Sequence, residues 1–327
     1  MKAWKWLINS CRMGVIALGL SGLSVAHAQD NWPERPVRVI VPFNAGGATD
    51  VITRIVAERV SKELGQSVIV ENRGGAAGGI GVNHVIGAPA DGTVFLMGTT
   101  GTNILSPFFM KSATYDTQRD LRGVGMIAGI PNLLVLNPKV PANDVAEFVS
   151  HARANPDEMT YAATGSGSRM AMELFMQQAD IKLRMVPYKG SAPALIDLIS
   201  GEVSSTMDLA SSTLTAVEAG QLRALGISTK EPVSRAPNIP AIAQSGYPDF
   251  EFLSWQGVFA PKGTPDKIID RMSQAITVAL RDPDTAKKIQ DIGAELMITT
   301  AKEMDDYIKS EVDRFTVVAD KAGITPQ

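Results

Sequence analysis

Strand and helix patterns alternate along nearly the whole chain, and this alternation limits the fold more than any other feature. It opens with "VRVIVPFNAGGATDVITRIVAERV", Val37 to Val60: a stretch fit to be a buried strand, a turn with a proline and two adjacent glycines, then a helix. In that helix Val51, Ile52, Ile55, Val56, Val60 and Leu64 form an apolar stripe, and Gly65 supplies the stop. The strand "SVIVEN", the glycine-weakened helix "GGIGVNHVIGAP", the strand "TVFLMG" and the polar loop "TTGTN" follow. A second run begins near "GIPNLLVLNP". It continues through a helix at "NDVAEFVSHARAN", a strand "MTYAAT", a helix from Arg169 to Gln178 and a strand "LRMVPY". A helix "APALIDLISG", a strand "VSSTMDL", another helix and the strand "LRALGIS" complete it. Repeated β-α-β units predict an α/β fold with a parallel sheet covered by helices on both faces.

At 327 residues the chain exceeds the usual single-domain range, so two lobes are expected. We place a leader at 1–28, the first part of lobe 1 at 29–128, lobe 2 at 129–250, and a return to lobe 1 over 251–327. The proline-rich "EPVSRAPNIPAIAQSGYPDF" reads as an irregular surface connection. After it, "WQGVFAPKGTPDKIIDRMSQAITVAL" gives a strand and a helix, with Thr264 as the expected N-cap and Pro265 as the first helical residue. Further helix starts stand at Asp282–Pro283 and at "TAKE", Thr300 to Glu303, which fits a capping box. Too little sheet remains there for a third domain, so these helices are expected to cover lobe 1.

Lys2, Lys5 and Arg12, the apolar run "MGVIALGLSGLSVA" and the small-x-small "AHA" read as a secretory signal peptide cut after Ala28. Its loss takes the formal net charge from −3 to −6 and removes Cys11, the only cysteine. The mature chain then has no disulfide, thiolate nucleophile or cysteine-ligated metal. A mildly acidic chain is a poor nucleic-acid binder. Only His84 and His151 remain, and no H-E-x-x-H or paired metal-ligand motif accompanies them. No cofactor or metal is expected.

Chemistry is therefore sought in the loops that follow the strands. In "PFNAGGATD", Gly46 and Gly47 let a ligand oxygen approach the backbone, which is expected to favour glycine there, and Asp50 falls in the first helical turn. The alternative is a turn with a capping acid. No Walker lysine and no G-x-G-x-x-G spacing is present, which disfavours a nucleotide. "YAATGSGSRMAME" offers Gly165 and Gly167, the hydroxyls of Ser166 and Ser168, and a cation, Arg169, at a helix start. A cation there opposes the helix dipole and invites an anion, unless it pairs with Glu173 one turn on. The serines do not form G-x-S-x-G. "VPYKGSAPAL" supplies Tyr188, Gly190 and Ser191, with Lys189 either a contact or a solvated charge. Asp208, near a strand end, either faces a cleft or caps the next helix.

The long segments "WPERPVRVIVPFNAGGATDVITRIVAERVSKELGQSVIVENRGGAAGGIG", "PADGTVFLMG", "VPYKGSAPALIDLISGEV" and "APNIPAIAQSGYPDFEFLSWQGVFAPKGTP" resemble the periplasmic solute receptors of tripartite tricarboxylate transporters, the Bordetella uptake gene (Bug) family. The likeness covers essentially the whole mature chain. It implies a type II periplasmic-binding-protein fold, two lobes around a cleft, that binds a small organic carboxylate, a dicarboxylate or an aromatic acid among them, and delivers it to a membrane permease. A monomer is expected. The resemblance maps one carboxylate, held by backbone groups and bridging waters, onto Phe43, Asn44, Gly46, Gly47 and Asp50. It adds Thr99, Thr100 and Asn103 from the first lobe. From the second it adds Thr164, Gly165, Ser166, Gly167, Ser168 and Arg169, then Tyr188, Lys189, Gly190, Ser191 and Ala192, and Asp208. The family's glycine/serine loop is longer and leads into a "HLAGE"-like start; here the start is "RMAME", and Arg169 stands where histidine is common. A carboxylate sensor presenting its closed form to a signalling partner, and a hydrolase pairing Ser166 or Ser168 with His84 or His151, are the alternatives.

Overall fold

A computed structural model describes residues 32–156 and 158–326. The expected signal peptide lies outside the described residues. Residues Arg35–Gln327 form one compact unit. Its first part runs β1 (Val37–Val41), α1 (Ala48–Leu64), β2 (Val68–Asn72), α2 (Gly79–Ile86), β3 (Val94–Thr99), a π-helical turn (Thr100–Leu105), α3 (Ser106–Phe109) and α4 (Thr117–Asp120). The long β4 (Leu121–Leu136) leads into α5 (Val145–Ala154), β5 (Thr160–Ala163), α6 (Ser166–Ala179), β6 (Arg184–Pro187), α7 (Ser191–Ser200), β7 (Ser205–Leu209), α8 (Ala210–Glu218) and β8 (Arg223–Ile227). The chain returns through β9 (Leu253–Pro261), α9 (Asp266–Arg281), α10 (Pro283–Asp291), β10 (Glu295–Leu296) and α11 (Ala301–Lys321).

The strands form one sheet in the order β2-β1-β3-β9-β4-β7-β5-β6, with β8 and β10 also on β4. β1 is parallel to β2 and β3, and β5 is parallel to β6 and β7, as the β-α-β pattern predicts. The sheet as a whole is mixed, which corrects the expectation of a parallel one. β9 runs antiparallel to β3 and β4, and β4 antiparallel to β7 and β8. The reason is connectivity: the chain enters the second half of the sheet along β4 and leaves it along β9, in opposite directions.

β4 is the shared element. Leu121 to Pro131 pair with β9, and from Asn132 the strand pairs with β7 instead. Pro131, which has no N–H to donate, stands where the partner changes. Ser228 secures the same place: the Asn132 amide donates to its Oγ (2.8 Å), and that hydroxyl donates to the Phe252 carbonyl (2.5 Å). The alternation of β4 feeds two cores. Leu134 and Leu136 join a large cluster with Ile40, Leu96, Phe148 and Phe175, while Leu133 and Val135 face a smaller one with Leu198, Leu214 and Ile227. The first half of β4, "LRGVGMIAG", carries glycines that hide it as a strand. A side chain at Gly123 would lie 2.6 Å from Asp305 Oδ1, so the glycine admits α11.

Local signals were sound at most helix ends. Gly65 ends α1 in the left-handed conformation (φ 67°), Asp282 caps α10 through the Thr285 amide, and Thr300 and Glu303 form the capping box of α11. Thr264 does not cap α9: its hydroxyl donates back to the Pro261 carbonyl (2.8 Å) and Pro265 occupies the cap. α9 and α10 pack on α1. α11 reaches further, to α6, where Gln177 Nε2 donates to the Val318 carbonyl (2.8 Å). Among the described residues no helix is long and apolar enough to cross a membrane.

Candidate ligand cleft

Between the two halves of the sheet lies a cleft with two adjoining compartments. Phe43, Gly101, Gly165 and Ser166 line both. The polar one, about 310 Å³, adds Thr49, Thr99, Thr100, Asn132, Thr164, Ser168, Ser191, Asp208, Ser254 and Gln256. The other, about 470 Å³, is walled by Ala77, Phe109, Met110, Met185, Pro187 and Tyr188, with Arg169. Each compartment draws its lining from both halves of the sheet.

The polar compartment is built from helix starts. Ala48 and Thr49 open α1, Ser166 to Ser168 open α6, Ser191 opens α7, and Leu209 precedes α8. The first amides of these helices have no partner within their own helix, so four positive dipole ends meet on one space. Among the described residues its lining contains no lysine or arginine. Asp208 is buried; its Oδ1 accepts from Thr164 Oγ1 and from the Leu209 amide (2.9 Å each), and its Oδ2 has no protein partner. Gln256 Oε1 and Trp255 Nε1 are likewise buried without one.

The structure places Phe43, Thr99, Thr100, Thr164, Gly165, Ser166, Gly167, Ser168, Arg169, Tyr188, Ser191 and Asp208 on the cleft. Asn44, Gly46, Gly47, Asp50, Asn103, Lys189, Gly190 and Ala192 line neither compartment. Asp50 instead holds its own loop. It accepts from the Gly46 amide (2.9 Å), from Asn72 Nδ2 (2.9 Å) and from Arg54 at both oxygens. Asn72 Nδ2 also reaches the Phe43 carbonyl (3.1 Å), so the acid fixes the turn that presents Phe43. The conformation that favours glycine is at Gly46 (φ 86°); Gly47 has an ordinary φ of −75°, and a Cβ there would make only an ordinary 3.8 Å contact with the Asn44 carbonyl oxygen. Asn103 is turned inward, its Oδ1 accepting from Thr102 Oγ1 (2.7 Å).

Burial works to raise the Asp50 pKa, but the hydrogen bonds from Arg54, Gly46 and Asn72 outweigh it and hold it below the ordinary 3.8. An acid so depressed stabilises the fold above its unfolded pKa, and that contribution fades as pH falls through the folded one. Asp50→Asn is therefore expected to cost about 1–2 kcal/mol at pH 7, since half of Arg54 remains in water. The gap to the parent should close as pH drops below about 4. Denaturant midpoints measured from pH 7 to pH 3 check this; a gap constant with pH would assign the loss to shape rather than charge.

"TTGTN" is not an open loop. It winds into the π-helical turn, capped reciprocally: the Thr102 amide donates to Thr99 Oγ1 (3.1 Å) and the Thr99 amide to Thr102 Oγ1 (3.0 Å). Thr100 Oγ1 accepts from the Trp255 amide (2.9 Å), tying the turn to β9. The helix expected from Arg169 begins at Ser166, so Arg169 lies a full turn inside α6, with its amide already bonded to the Gly165 carbonyl (3.0 Å). The dipole end belongs to Ser166–Ser168 instead. Tyr188 donates its hydroxyl to Asp197 Oδ2 (2.7 Å), and burial together with that acid pushes its pKa up to about 12. The serine–histidine pairing of the hydrolase alternative is not assembled. His84 lies beside Arg73 (3.3 Å) and His151 beside Asn155 (3.3 Å), and neither lines the cleft. Sequence reading missed Thr49, Asn132, Ser254, Trp255 and Gln256, and in the apolar compartment Phe109, Met110 and Met185. The last three read only as apolar residues of nearby elements, and nothing local said that they face a common space.

A sheet crossed by β4 and β9, with turn-lined cleft walls, defines a solute-binding protein of the type II periplasmic-binding-protein fold. The chain belongs to the tripartite tricarboxylate transporter family of receptors (TctC), whose profile matches residues 52–324. BugT of Bordetella pertussis is 33% identical over 311 residues, covering 94% of this chain and 95% of BugT. Among solved structures, R. palustris Rpa4515 with adipate is similar at a TM-score of 0.76 and 36% identity, covering 90% of this chain and 100% of that one. MatC from Rhodopseudomonas palustris with bound malate follows at 0.71 and 28%, covering 88% and 100%.

Proposed function

We propose that this protein is a periplasmic receptor that captures a small organic carboxylate between the two halves of its sheet and delivers it to a membrane permease of the tripartite tricarboxylate type. The observation that carries this reading is the convergence of the α1, α6, α7 and α8 N-termini on a polar compartment whose lining has no basic side chain. Backbone amides at dipole ends there suit a carboxylate, and hydroxyls of Thr49 and Ser191 add donors. Two similar proteins carry adipate and malate, both carboxylates. The halves of the sheet act as lobes, 29–128 with 251–327 against 129–250, and closure follows from tighter binding to the closed form. Export fits the basic, apolar, small-x-small leader in the sequence.

The test is native mass spectrometry of protein purified from the periplasm, with any retained anion identified and its affinity measured by calorimetry. A carboxylate of small mass bound one to one supports the reading. Failure to retain or bind any carboxylate, in protein that is folded, overturns it.

A further inference from the structure

Among the described residues, the only basic side chain on the cleft sits in its apolar compartment. Arg169 makes no ion pair among the described residues, and its Nε is buried with no protein partner. Glu173, the acid expected to answer it, is taken by Tyr161, whose hydroxyl donates to Glu173 Oε1 (2.9 Å). Burial raises the Glu173 pKa, while the Tyr161 hydrogen bond and the charge of Arg169 work to lower it. The guanidinium lies instead 5.0 Å from the centroid of the Phe109 ring, which comes from the opposite half of the sheet. A half-buried cation in an apolar wall, with no carboxylate within ion-pair distance, is a ready partner for an incoming anion.

We propose that this compartment is a subsite for the ring of an aromatic dicarboxylate, with one carboxylate on Arg169 and the other over the helix N-termini of the polar compartment. The inference rests on the carboxylate-receptor reading and adds the ligand's body and its second anchor. The guanidinium presents a planar fork that grips a carboxylate with two parallel hydrogen bonds. The space beside it is walled by Phe43, Phe109 and Tyr188 and by the thioethers of Met110 and Met185. Aromatic rings pack edge-on or offset against one another, and methionine sulfur sits well at a ring edge. A flat ring uses all of these surfaces, while a methylene chain gains burial alone. Ser166 and Gly101, which line both compartments, form the passage across which such a ligand extends.

Calorimetry on exhaustively dialysed protein tests this with the three benzene dicarboxylates, adipate and malate. At least one benzene dicarboxylate is expected to bind about threefold to tenfold more tightly than adipate. Arg169→Ala should weaken that aromatic acid by about 30-fold or more. Arg169→Lys should recover part of the loss, because an ammonium lacks the fork. Phe109→Leu should weaken the aromatic acid more than adipate and so erase the preference for a ring. Melting temperatures of the three variants establish that each is folded. Aliphatic acids binding as tightly as every aromatic one, or an aromatic affinity indifferent to Arg169, would overturn the inference and leave the carboxylate-receptor reading standing. If no acid of either kind binds, that reading falls and this inference with it.

Discussion

Trp255→Ala is expected to cost about 3–5 kcal/mol of stability, the range for removing a large aromatic side chain from a filled core. Trp255 is fully buried on β9, opposite Gly129 of β4, with its ring 6.2 Å from that of Phe259. It stands near the point where β4 changes partners, so the void would open where the two halves of the sheet are joined. Its amide holds the π-helical turn through Thr100, and the residue borders the polar compartment. Ligand affinity should fall with stability. Trp255→Phe is the informative companion. It retains a ring and removes only the outer indole and its N–H, which has no partner in the protein. It should recover most of the loss. Urea midpoints with unchanged slopes measure both variants. Equal losses for Phe and Ala would show that the N–H, not the ring, carries the role, through a ligand or water in the cleft.

Gly81→Ala is expected to cost about 1–3 kcal/mol, an overpacking penalty that a helix-favouring substitution would otherwise never show. A methyl group at this position of α2 would lie 2.8 Å from Pro42 Cα and 2.9 Å from the Arg73 carbonyl oxygen. Both are backbone atoms and cannot rotate away. Relief requires α2 to shift from the turn after β1, and that turn carries Phe43 into both compartments. Binding should therefore weaken along with stability. Gly47→Ala serves as the control: it has an ordinary backbone and its nearest neighbour is 3.8 Å away. Thermal melts and ligand titrations of the two variants separate the cases. A neutral Gly81→Ala would mean that the helix and the turn are not in the close contact described.

Much of the site was legible because its signals are local. Glycine-bearing turns after strands mark the ends where helix amides are free, and three such turns do line the polar compartment. Arg169 stood out as a cation near a helix start. Its actual surroundings did not, since Phe109 lies on another element and in the other half of the sheet. Asp50 shows the opposite case. Its place in the first turn of α1 suited either a ligand contact or a loop anchor, and only the positions of Asn72 and Arg54 turned it toward the loop.

The sequence by itself determined the α/β alternation, most helix ends and the family. Each depends on the spacing of neighbouring residues: a period of two or of 3.6, a capping hydroxyl, a glycine after the last turn. The tertiary structure alone decided that β9 runs antiparallel to β3 and to the first half of β4, because strand direction follows from where the chain must return. It decided that Gly81 is held by close packing and that Gly46, not Gly47, needs its freedom. It also divided the cleft into a compartment of helix ends and an apolar one with a single cation. Those properties arise from contacts between segments distant in sequence, and no periodicity within one segment encodes which distant surface it will meet.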